Sequence, residues 1–94
     1  MRKNDKKLDN SIRIQLTEVC DYALDHTQGF LWLTHTVDYK RFPNSLAVRC
    51  VFTADSLAAA IQETPLNQLI KDKLSTAGIN IQFTQIQYTP EKIN

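Results

Sequence analysis

Three groups of residues in this 94-residue sequence have types that could do chemistry. Asp21, Asp25 and His26 cluster near the end of a helical stretch and carry oxygen and nitrogen donors that a metal could use. A solvated acidic face, with a histidine near the C-terminal end of the helix dipole, accounts for the same residues. Cys20 and Cys50 form neither a C-x-x-C pair nor a zinc spacing. Both fall within apolar stripes, where free cysteine behaves as a small hydrophobe, so both are expected to be buried and reduced. His35 alternates with Leu33 and Val37, the pattern of a half-buried, hydrogen-bonded strand histidine. No pair of residues reads as an acid/base couple. With only Gly29 and Gly78, the chain has no P-loop, dinucleotide fingerprint or nucleophile elbow. The residues therefore point away from an enzyme and require no cofactor and no metal.

The remaining chemistry is that of binding. Trp32 is the most informative residue, because the alternation of its strand sets it and Phe30 against Leu31, Leu33 and Val37. If the odd-numbered side chains face the core, Phe30 and Trp32 lie on the other face. Arg49 and Val51 of the next strand join them there, with Ile86 and Tyr88 if the last strand carries a bulge. Phe30, Trp32, Arg49 and Tyr88 are thus a candidate interaction surface for a dimer, a protein partner or a stacked base; the alternative is that Trp32 covers the edge of the sheet or packs under the 40–45 loop. A second set could touch phosphates: Arg2, Lys3, Lys6 and Lys7 near the N-terminus, and the loop pair Lys40 and Arg41; a basic tail that only solubilises the end of the chain accounts for the first four equally. The formal net charge is only +1, but within the first thirteen residues five cations oppose two carboxylates, a net +3.

The elements that would position these residues follow from periodicity. Residues 1–7 read as a charged tail and residues 8–94 as a single domain. Leu8, Ile12, Leu16, Val19, Cys20, Ala23 and Leu24 mark one face of a helix over 8–26. Residues 30–39 alternate as a strand, and Leu46, Val48, Cys50 and Phe52 as a second, antiparallel one. Thr53 or Asp55 starts a short helix carrying Leu57, Ala60 and Ile61. Thr64–Pro65 signals another helix start, with Leu66, Leu69, Ile70, Leu74 and Ala77 as its apolar stripe and Gly78 just past its end. Ile79, Ile81 and Phe83 alternate as a third strand, whose apolar phase shifts at Ile86 and Tyr88; a bulge near Thr84–Gln85 would produce that shift, as would a change in which face of the strand is covered. The expected fold is α+β in two layers, ordered α-β-β-α-α-β, with helices on one face of a three-stranded sheet and the last two strands parallel. Apolar residues at 43% and charged residues at 22% suit a globular chain. No signal peptide or spanning segment is evident, so a cytoplasmic location is expected.

This order resembles the type II KH domain, a nucleic-acid-binding fold, with residues 46–88 as its strand-helix-helix-strand core. The family's G-x-x-G loop is replaced by Gln62-Glu63-Thr64-Pro65, so its phosphate grip carries over to no residue here. The stretch SLAVRCVFTADSLAAAIQETPLNQLIKDKLSTAGINIQF is similar to the glycine-free KH-like domain of DciA-type helicase-loading proteins. The segments MRKNDKKLDNSIRIQLTEVCDYAL and FLWLTHTV look like a small bacterial family sometimes labelled Fis-like transcriptional regulators. True Fis proteins are all-helical, whereas the residues after Gly78 read here as strand. The resemblance implies a regulatory or binding module associated with transcription or replication and contacting nucleic acid. The alternative is a protein–protein adaptor or homodimerisation domain without nucleic-acid contact.

Overall fold

The computed structural model describes residues 3–91. Helix α1 (Lys3–His26) is followed by strands β1 (Phe30–Thr36) and β2 (Ala47–Phe52), helices α2 (Ala54–Glu63) and α3 (Asn67–Thr76), and strand β3 (Ile86–Pro90). Single 3-10 turns at Tyr39–Arg41 and Phe83–Gln85 interrupt the connections. The fold is α+β in the expected order. The sheet order is β1-β2-β3, with β1 antiparallel and β3 parallel to the central β2. No described helix is long and apolar enough to cross a membrane.

Helix α1 begins five residues before Leu8. Lysine is a good helix former, and Asp5 complements the dipole in the first turn. These residues form helix without an apolar period, so a pattern read from hydrophobic spacing starts too late. Ile12, Leu16, Val19 and Ala23 bury against the sheet and α3. Leu24 and Ile61, both expected in the core, are exposed. A three-stranded sheet is too narrow to cover the full width of either helical stripe.

Leu46, Val48, Cys50 and Phe52 supply the sheet's side of the core. They meet Leu66, Ile70 and Leu74 from the start and body of the α3 segment. Helix α3 ends as expected. The Ile79 N–H donates to the Leu74 carbonyl and the Gly78 N–H to that of Ser75, both at 2.9 Å, with Gly78 at φ +79°. This is a Schellman closure, and the flanking Leu74 and Ile79 are both buried. Thr64 behaves differently from expectation. It closes α2 in the left-handed region rather than capping α3, its N–H donating to Ala60 at 2.8 Å. The start of α3 is served by Tyr88, whose hydroxyl accepts from the Leu66 N–H at 3.0 Å.

The third strand starts later than its alternation predicts. Ile79 and Ile81 are buried in a run that pairs with no strand, and Phe83 points outward. The phase shift comes from the 3-10 turn at Phe83–Gln85, not from a bulge. The Gln85 side chain holds this turn: Oε1 accepts from the Gln82 N–H at 2.9 Å. Its amide nitrogen donates to the carbonyls of Pro43 and Leu46 at 3.0 and 2.8 Å. Ile86 thereby returns to the core.

Candidate interaction surface

All three helices lie over the side of the sheet that carries Val48, Cys50 and Phe52, so the opposite side has no covering layer. Register decides what that open side displays. Trp32 lies opposite Val51 and Thr34 opposite Arg49; Arg49 and Val51 in turn neighbour Gln87 and Thr89. Trp32, Thr34, Arg49, Val51, Thr89 and Pro90 line a shallow concavity of about 470 Å³. Trp32 is 48% exposed, whereas Val51, outside the main core, is only 4% exposed and forms the floor. The arrangement offers a flat aromatic ring, an apolar floor, two hydroxyls and an exposed guanidinium. It can take a planar or aliphatic group against Trp32 and an acceptor or anion at Arg49.

Two residues expected on this surface are elsewhere. Phe30 is 6% exposed and belongs to the core. The pairing slips by one residue between Phe30 and Trp32, which makes Leu31 a bulge and turns Phe30 to the helix side opposite Phe52. The two rings meet edge to face, centroids 5.6 Å apart. Tyr88 also faces the helices, stacked on Phe52 at 5.5 Å with its hydroxyl serving α3. Gln87 and Thr89 occupy the open face in its place. Ile86 is likewise core. Thr34, Val51, Thr89 and Pro90 complete the concavity; the alternation already placed Thr34 and Val51 on this side, whereas Thr89 and Pro90 depend on the pairing of β2 with β3.

The structure brings together two groups of basic residues that are distant in sequence. The Tyr39 hydroxyl donates to Asp9 Oδ1 at 3.1 Å, which ties the turn carrying Lys40 and Arg41 to the first half of α1, where Lys6 and Lys7 stand exposed. Arg2 lies outside the described residues, and Lys3 opens α1. Asp9 is also engaged by Arg13 Nε at 3.1 Å, with His35 Nε2 at 3.8 Å from Oδ1. Burial and then the hydrogen bond to Asp9 push the Tyr39 hydroxyl up from its ordinary pKa. This cluster joins residues thirty apart, and its only sequence trace is the i, i+4 spacing of Asp9 and Arg13.

Ile61 and Phe83 flank a further concavity along the outer edge of β3, which also includes Asn67, whose buried Oδ1 has no hydrogen-bond partner. The His26 ring stacks on Tyr22 at 4.3 Å, and among the described residues no group of three His, Cys, Asp or Glu side chains converges on a metal-sized site. The thiols differ: Cys50 is fully buried, but Cys20 is only half-buried, in a depression between α1 and β1. Cys20 is therefore expected to react with a thiol reagent in the folded protein well before Cys50. Mass spectrometry of a labelling time course checks the order, and equal rates would contradict it. No protein-family profile, curated protein or solved structure matches the chain.

Proposed function

We propose that this chain is a non-enzymatic binding module that works through the open face of its sheet. The observation that carries this reading is Trp32 standing half-exposed beside the buried Val51 and the exposed Arg49. A large aromatic on an uncovered face is a costly surface choice for a monomer and a common anchor in an interface. Nucleic acid is the ligand that the basic residues favour. Lys6, Lys7, Lys40 and Arg41 carry positive charge on neighbouring elements, while Asp9 among them is already engaged by Arg13 and Tyr39. Single-stranded nucleic acid suits Trp32, on whose ring a base can stack, and the cations, which lie toward the helix side of the sheet, would meet its backbone where the strand leaves the open face. The KH-like topology agrees with this reading, without the family's glycine loop. Failing nucleic acid, the same face serves as a protein-binding adaptor.

Trp32 is the sole tryptophan, so its fluorescence reports directly on the proposed surface. Titration with a single-stranded oligonucleotide is expected to change its emission. Four phosphate contacts would give a log–log salt slope of about −3. Trp32→Ala is expected to lower folding stability by about 1 kcal/mol or less while weakening capture of the ligand. A loss of about 3–5 kcal/mol would mark Trp32 as core and overturn the reading. Unchanged emission over the titration, together with no salt-dependent binding, would exclude nucleic acid and leave the protein adaptor.

A further inference from the structure

We propose that two copies of this chain pair through the free edge of β1, forming a continuous six-stranded sheet with their α1 helices antiparallel across a two-fold axis. The inference stands on the edge of the sheet and one face of α1, and it is independent of the open face. Strand β1 is an edge strand with the sequence FLWLTHT, which contains no lysine, no carboxylate and no proline. Those are the usual devices that stop an edge from pairing. The bulge at Leu31 lies at one end, so Trp32–Thr36 presents a regular run of unpaired backbone groups. The other edge, β3, is shorter and ends in Pro90.

Helix α1 carries a second stripe that the monomer does not use. Asn10, Ile14, Thr17, Asp21 and Leu24 follow one another at steps of four, three, four and three, the spacing of a helix–helix seam, and all five are exposed. Ile14 is 60% and Leu24 55% exposed; among the described residues no large hydrophobic side chain is more exposed than Ile14, and only Ile61 equals Leu24. An antiparallel neighbour centred on Thr17 would cover both.

Charge supplies the self-complementarity that a two-fold contact demands, in which residue i meets j and j meets i. Arg13 and Asp21 stand four residues on either side of Thr17, about 12 Å apart along the helix. Rotation about an axis at Thr17 sets Arg13 against the partner's Asp21, and the reverse. Arg13 reaches Asp9 through Nε, while Asp21 has no ion-pair partner among the described residues. The strand agrees with this axis. Arg13, Thr17 and Asp21 line one depression together with Leu33, Thr34 and His35 of β1. The midpoints of both sets, Thr17 and Thr34, therefore lie beside the same depression, as a single axis through helix and strand requires.

Sedimentation equilibrium of the full chain is expected to show a concentration-dependent dimer. Arg13→Glu and Asp21→Arg are each expected to raise the dimer dissociation constant about tenfold or more, because each sets like charges against each other twice across the axis. The combined variant R13E/D21R restores opposite charges and should return the constant toward that of the parent chain. Circular dichroism confirms that each variant is folded. A chain that stays monomeric at about 100 µM, far above a micromolar dissociation constant, overturns the proposal. So does a dimer indifferent to both single changes, or a combined variant weaker than either.

Discussion

Gly29→Ala is expected to lower folding stability by about 3 kcal/mol and the melting temperature by about 12–24 °C. Two causes act together. Gly29 has φ +80°, a region that costs other residues about 1–2 kcal/mol. A methyl group there would also overlap the side chain of Ser56 in the first turn of α2 and crowd the Thr53 hydroxyl. The chain cannot simply move away, because the Gly29 carbonyl accepts from the Thr53 N–H at 2.9 Å and fixes the α1–β1 turn against the β2–α2 junction. Gly78 separates the two causes. It has nearly the same φ, +79°, but nothing lies within 4 Å of an added methyl. Gly78→Ala should cost only the backbone share, about 1–2 kcal/mol. Adding Ser56→Gly to Gly29→Ala should relieve the overlap and leave the strain, a non-additive pair in a double-mutant cycle. Denaturant unfolding of these three variants and of Ser56→Gly alone measures all of this. Equal losses at Gly29 and Gly78 would show that the contact with Ser56 does not hold α2 in place.

The same junction shows where a sequence stops being legible. Alternation along β1 placed Trp32 outward and Leu33 inward, and both stand as expected because Trp32–Thr36 pairs regularly with β2. It failed at Phe30, two residues away, because the bulge depends on what β2 offers opposite, namely the Phe52 ring. No local pattern contains that information. Tyr88 failed for a related reason. The turn at Phe83–Gln85 resets the strand's phase, and it is anchored by Gln85 bonds to Pro43 and Leu46, about forty residues earlier. The helices were visible wherever they bury a stripe, and α1 began too late only where charged residues carry no period. Apolar spacing alone makes their faces too wide at Leu24 and Ile61, since stripe width depends on how many strands lie beneath. On the candidate surface, Trp32 and Arg49 could be named from one strand each. Thr89 and Pro90 needed the parallel register of β2 with β3. The tie between Tyr39 and Asp9 is a long-range bond between two residues with ordinary reasons to be polar.

Stability is expected to fall as pH rises from about 9 toward about 12, and Cys50 is expected to cause much of the fall. Burial in the core, followed by the nearby Cys20, pushes the Cys50 thiol from 9.0 up to about 12. The folded state therefore keeps a proton that the unfolded chain gives up above about pH 9. With fewer protons bound in the unfolded state, the unfolding free energy declines with pH. The contribution is complete below about pH 9 and is lost progressively as pH climbs to about 12. At up to 1.36 kcal/mol per unit, the loss at the upper end is on the order of 2–4 kcal/mol, a large share of the stability of a domain this small. Tyr88 acts in the same direction over a narrower window: burial raises its hydroxyl from 10.0 to about 12, partly offset by the Leu66 N–H. Unfolding in denaturant under reducing conditions, repeated from pH 8 to pH 11.5, measures the slope. Cys50→Ala should cost about 1 kcal/mol at pH 8 through a small cavity, yet decline less steeply, so that the two curves converge as pH rises. Tyr88→Phe should flatten the curve only above about pH 10, and it also removes the acceptor at the start of α3. Parallel curves for the parent chain and Cys50→Ala would show that the buried thiol does not drive the alkaline loss.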